Sequence, residues 1–123
     1  MTDNLPYFPF YVRDFASDGK VEAMSTESVG AYILLLCKAW HERPAGSIPD
    51  HDPTLARWTG LALDRWSQCR ADVLAPFTKR TDGRWHQKRM QAEHRKLLEL
   101  RRLRSKAGAQ GNVKRWQSDR TRV

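Results

Sequence analysis

The sequence predicts a mainly α-helical domain with a small β hairpin, arranged as a winged helix-turn-helix with a long basic C-terminal helix. Three observations carry this. Apolar residues recur at helical spacing in three stretches between residues 26 and 75, and a short Gly-containing turn joins the last two. Asp82-Gly83 then separates two short runs, the strongest local hairpin signal in the chain. Charge, finally, is divided: residues 1–78 hold 7 Lys or Arg against 10 Asp or Glu, and residues 79–123 hold 15 against 4. The expected organisation is an aromatic lead-in over residues 1–24, a winged-helix domain over 25–98, and a basic helix end with a flexible tail over 99–123.

The lead-in "PYFPFYVRDF" contains Pro6 and Pro9, which favour extended backbone around them. An extended run puts Phe8, Phe10 and Val12 on one face and Tyr7 and Tyr11 on the other. That pattern suits a strap across the core. A base-stacking platform would need interleaved positive charge, and only Arg13 is near.

Ser25 is the expected N-cap of a helix from Thr26, with Glu27 in its first turn. Val29, Tyr32, Ile33, Leu36, Cys37 and Trp40 form its stripe, Leu34 and Leu35 broaden it, and Pro44 and Gly46 end it. "GSIPD" allows one brief strand with Ile48 facing inward. Asp52 is the expected cap of the next helix, with Pro53 at its first position; that helix buries Leu55 and Trp58 and stops at Gly60. Asp64 is the expected cap of a third helix, with Trp66, Cys69, Val73 and Leu74 at helical spacing and Pro76 beyond its end. From Gln87 a last helix is expected to about Ala107, ended by Gly108, with residues 112–123 lacking structure of their own. Met90, Leu97, Leu100 and Leu103 give it a thin apolar stripe, which suits packing on the body or pairing with a second chain, so a monomer or a homodimer is expected.

The longest apolar run, Ala31 to Cys37, has seven residues, too few to cross a membrane. The first ten residues lack the basic and apolar regions of a signal peptide. Two cysteines make no disulfide framework, so Cys37 and Cys69 are read as small core residues of a cytoplasmic protein.

A basic C-terminal third on a mildly acidic body is the electrostatic footprint of a nucleic-acid binder. At this point the residues resemble a known family. "PYFPFYVRDF", "ST-E-VGAYILLLCKAW", "GSIPDHDPTLARWTGL", "DGRWHQKRMQAEHRK" and "RSKAGAQGNVKRW" are similar to YdaU-like phage and prophage proteins, from about Pro6 to Trp116. The resemblance implies a phage replication-module protein, akin to winged-helix initiators that bind origin DNA and recruit a helicase or helicase loader. It also implies a Lys/Arg, Gly and Ala-rich ending that closes on Arg-Trp, here Arg104 to Trp116.

The candidate DNA contacts follow from charge and position. On the third helix Arg65 and Gln68 face outward, where Arg pairs guanine and Gln pairs adenine. Asp64 and Asp72 offset Arg65 and Arg70, so phosphate contacts fall elsewhere. Lys79, Arg80 and Arg84 lie on the wing; Lys88, Arg89, Arg95, Lys96, Arg101, Arg102, Arg104 and Lys106 lie on the last helix; and Lys114, Arg115 and Trp116 lie in the tail. Double-stranded DNA is favoured over single-stranded, in a nucleoid-associated setting. The alternatives are a winged-helix transcriptional regulator, and an adaptor that docks on an acidic replication protein without touching DNA.

Other chemistry finds little support. Cys37 and His41 share a helix face and Asp50, His51 and Asp52 follow, but zinc needs three or four converging ligands. Asp50, Asp52 and Asp64 could be drawn as a nuclease cluster, yet capping explains two of them. No Walker loop, nucleophile elbow or dinucleotide fingerprint occurs. Gly108-Ala109-Gln110-Gly111 matches a lone Gly-x-x-Gly, better read as helix termination. No enzyme activity, cofactor or metal is expected.

Overall fold

The computed structural model describes residues 5–120, with side chains through Gln110. The elements run α1 (Val12–Ala16), α2 (Gly19–Glu22), α3 (Thr26–Trp40), β1 (Ser47–Ile48), α4 (Asp52–Thr59), α5 (Leu63–Leu74), β2 (Thr78–Lys79), β3 (Trp85–His86) and α6 (Lys88–Arg120). The fold is mainly α with one small antiparallel sheet in the order β1-β3-β2. Ser47 pairs with His86 and Ile48 with Trp85, while Thr78 and Lys79 take the same two partners from the other side.

The lead-in departs from the extended strap. Pro6 sits in a bend, Tyr11 is extended, and α1 and α2 follow, so any alternation of faces stops at Tyr11. Val12, expected on one face with Phe8 and Phe10, is 68% exposed. Asp18 caps α2, accepting from the backbone N–H of Lys20 at 2.8 Å and of Val21 at 3.3 Å. The segment is tied down by Trp40, whose Nε1–H donates to the Leu5 carbonyl at 2.7 Å. Aromatic contacts continue from Phe8 to Trp40, and from Phe10 through Phe15 to Tyr32.

Ser25 caps α3 by accepting from the Ser28 N–H. The buried face of α3 comprises Ser28, Ala31, Tyr32, Leu35, Leu36, Ala39 and Trp40. It is rotated from the expected stripe, and Cys37 falls outside it, exposed; only Cys69 is a core thiol. Leu35 and Ala39 take the central positions because α4 and α5 both pack on this helix, on a face that the run of apolar residues left undefined.

His51, not Asp52, caps α4: its Nδ1 accepts from the Thr54 N–H at 3.3 Å. This releases Asp52, whose Oδ1 accepts from Trp66 Nε1 at 2.9 Å and from Arg70 Nε at 2.8 Å. Likewise α5 starts at Leu63 after Ala62, with no side-chain cap, so Asp64 is only a first-turn acid. Trp58 is half-buried, with Lys38 Nζ 5.9 Å from its ring centroid. Trp66 is fully buried, at 0% exposure with Leu35, Ile48, Leu55 and Val73.

The last helix docks through Gly46. The Gln87 N–H donates to the Gly46 carbonyl at 2.8 Å, and Gly46 N–H donates to Ala39 O at 2.8 Å. Gly46 has φ +77°, and a Cβ there would lie 2.6 Å from Gln91 Cγ, so only glycine fits. Met90 is buried and Leu97 partly so. Beyond them α6 continues through Gly108 and Gly111 to Arg120, past the expected stop. Each glycine costs about 1 kcal/mol in a helix, and flanking Ala, Gln, Lys and Arg favour continuation. Among the described residues, no helix is long and apolar enough to cross a membrane.

Candidate nucleic-acid interface

Three elements present the expected cations, and their surroundings differ. On α5, Arg65 is exposed but already engaged. Its Nη2 and Nε donate to Glu27 of α3 at 2.7 and 3.3 Å, and its Nη1 donates to Gln68 Oε1 at 2.9 Å. The two residues expected to read bases are therefore engaged with each other and with one carboxylate. Arg70 turns to Asp50 and Asp52.

The hairpin is tied to the loop before α4. Lys79 Nζ lies 2.7 Å from Asp50 Oδ2, and Trp85 Nε1 donates to Asp50 Oδ1 at 3.0 Å. The hydrogen bond from Lys79, then that from Trp85, holds the Asp50 carboxyl below its ordinary pKa; those from Trp66 and Arg70 do the same for Asp52. Of the three acids Asp50, Asp52 and Asp64, the first two are thus held by cations and the third stands in the first turn of α5. Arg84 is only 23% exposed and donates to Glu42 at 2.8 Å and Ser47 Oγ at 2.9 Å, a tether between hairpin and body. Asp82 is held below its ordinary pKa first by the Arg84 backbone N–H and then by His86. Of the three wing cations, Arg80 has no side-chain partner among the described residues.

On α6, Arg89 pairs with Asp14 at 2.6 Å and lies 4.8 Å from the Tyr11 ring centroid, which joins the lead-in to this helix. Lys96 lies 3.7 Å from Glu93, and Arg102 pairs with Glu99 at 2.6 Å. Lys88, Arg95, Arg104 and Lys106 have no such partner among the described residues, and Arg101 is exposed. Every residue from Glu99 to Gln110 is exposed, including Leu100 at 44% and Leu103 at 47%. Lys114, Arg115 and Trp116 lie on the same helix, but their side chains fall outside the described residues.

Sequence reasoning missed Arg43. It stands in the loop after α3 and lines a cleft of about 770 Å³ with Arg80 and Arg95. Its only sequence signal was a cation before a proline, since nothing local says that the hairpin and α6 converge on it. Among the described residues, no three His, Cys, Asp or Glu side chains group as a metal ion requires.

A family model described as "Protein of unknown function (DUF1376)" matches residues 6–94, and so ends before α6 becomes fully exposed. No curated protein and no solved structure matches the chain.

Proposed function

We propose that this chain, which belongs to the family of proteins of unknown function DUF1376, is a DNA-binding protein of a phage or prophage replication module, gripping the duplex backbone through α6 and the hairpin. The observation that carries this reading is α6 itself. It has 33 residues, with eleven Lys or Arg against three Asp or Glu, and its described outer part is wholly exposed. At 1.5 Å per residue such a helix is a rod about 50 Å long. Cations on it displace the counterions condensed on DNA, which gives affinity with little sequence preference.

The element order from α3 to β3 and the sheet order β1-β3-β2 support reading this part as a winged helix, with α4 and α5 as its helix-turn-helix. Because Glu27 engages Arg65 and Gln68 is drawn to the same group, base reading by α5 is weakened. A replication initiator or helicase-recruiting accessory therefore fits better than a transcriptional regulator. The phage setting, and a replicative helicase or its loader as partner, rest on the resemblance to YdaU-like proteins.

The test is fluorescence anisotropy of labelled duplex and single-stranded DNA with the full chain, from about 50 to 200 mM salt. The expected result is binding to unrelated duplex sequences with a steep salt dependence. No binding to either form at the lowest salt would overturn the reading and leave an adaptor for an acidic replication protein.

A further inference from the structure

The cleft between the hairpin, the loop after α3 and the inner part of α6 gathers arginines from three separate parts of the chain. Arg43, Arg80 and Arg95, far apart in sequence, line one space of about 770 Å³. Among the described residues none of the three side chains has a hydrogen-bond or ion-pair partner. Elsewhere on the body Arg65, Arg70, Arg84 and Arg89 each end on a carboxylate. The one acid lining the cleft, Glu42, is already engaged by Arg84 at 2.8 Å.

Of the other polar groups in the wall, His41 is exposed at the rim, and Gln91 and His86 are occupied. Gln91 Nε2 donates to the Ala45 carbonyl at 3.1 Å and to His86 Nδ1 at 2.7 Å. A carboxylate only accepts, so His86 Nε2–H donates to Asp82 at 2.8 Å. What remains to meet a ligand is three guanidinium forks, the His41 imidazole and an aromatic wall, Trp40 edge-on to His94 at 4.8 Å. Like charges gathered around one void repel until an anion joins them, and guanidinium matches the oxygens of a phosphate. The volume lies in the range of small-molecule sites, about 300–1,000 Å³, larger than a lone anion needs.

We infer that this cleft binds a phosphate ester of nucleotide size, with Arg43, Arg80 and Arg95 as the phosphate ligands. The ester comes either from a free nucleotide or from the phosphorylated end of a DNA strand. The inference goes beyond the backbone grip assigned to α6 and does not depend on it.

Deoxyadenosine monophosphate, titrated into the full chain by NMR or calorimetry, tests the first source. A short duplex with and without a 5′ phosphate tests the second. Arg43→Ala, Arg80→Ala and Arg95→Ala are compared with Arg57→Ala, an exposed cation on α4 away from the cleft. Unchanged melts check that each variant folds. Saturable binding is expected for at least one probe, weakened about 10-fold by each cleft variant and little changed by Arg57→Ala. Binding of the mononucleotide that duplex DNA does not displace assigns the free nucleotide; preference for the 5′-phosphorylated duplex assigns the strand end. No saturation of either probe up to about 10 mM, or equal weakening by Arg57→Ala, overturns the inference. Mononucleotide binding in a chain that fails to bind long duplex would sink the backbone-grip reading and leave this one standing.

Discussion

Glu27 and Arg65, 38 positions apart, meet across the packing of α3 on α5 in a two-point pair, Nη2 to Oε1 at 2.7 Å and Nε to Oε2 at 3.3 Å. The first carboxylate of α3 thus engages the first cation of α5. Replacing Glu27 with Gln keeps the shape and removes the charge. If α5 faces DNA, the released Arg65 raises duplex affinity several-fold at low salt, read by anisotropy. Stability changes little, because the pair is exposed and screened. Unchanged affinity would place α5 away from the DNA.

The outer helix is tested by replacing Arg101, Arg102 and Arg104 together with Ala. Binding should weaken on every sequence, and the slope of log affinity against log salt should flatten by roughly 2 to 3. A slope equal to the parent's would remove this stretch of α6 from the interface.

Two tryptophans separate core from surface. Trp66 is 0% exposed and bonded to Asp52, so Trp66→Ala should cost about 3–5 kcal/mol in a urea melt. Trp58, half-buried, should cost clearly less. Equal losses would mean that α4 contributes as much to the core through Trp58 as α5 does through Trp66.

Gly46 and Gly83 share a positive φ, +77° and +79°, but only Gly46 is crowded, by Gln91. Gly83→Ala should cost about 1–2 kcal/mol for the backbone alone. Gly46→Ala should cost more, because α6 must also shift. A Gly46→Ala chain as stable as Gly83→Ala would show that Gln91 moves aside without loss.

Acid should loosen the joint between the hairpin and the loop before α4. Asp50 and Asp52 have folded pKa values below the 3.8 of the free side chain. Their contribution is present above the unfolded value and is lost as pH falls through the lower folded values. The melting temperature should therefore fall below about pH 4. In Asp52→Asn the fall should be shallower, from a lower starting point at neutral pH. An identical profile would assign the acid sensitivity to other carboxylates.

Local pattern was enough for the order of the elements from α3 onward, the Ser25 cap, the Asp82-Gly83 turn, inward Ile48 and the buried face of α5. Each follows from hydrogen bonds or spacings within a few residues. The same local evidence failed where a distant group competed. Asp52 read as a cap, but Trp66 and Arg70 claim its carboxylate and His51 takes the capping role. Cys37 read as core on an all-apolar run, but the packing of α4 and α5 chose the face containing Leu35 and Ala39. Gly108 read as a stop, but its neighbours carry the helix through. The basic character of the last third was plain in the composition, whereas which cations have partners was not. Glu27 meets Arg65, Glu42 meets Arg84 and Asp14 meets Arg89 only once the chain has folded, and the cleft of Arg43, Arg80 and Arg95 exists only because the hairpin and α6 close over the loop after α3. Spacing along the chain determines helices and turns because their bonds are short in sequence; charge pairing and clefts are set by tertiary contact, which brings together groups that no local pattern relates.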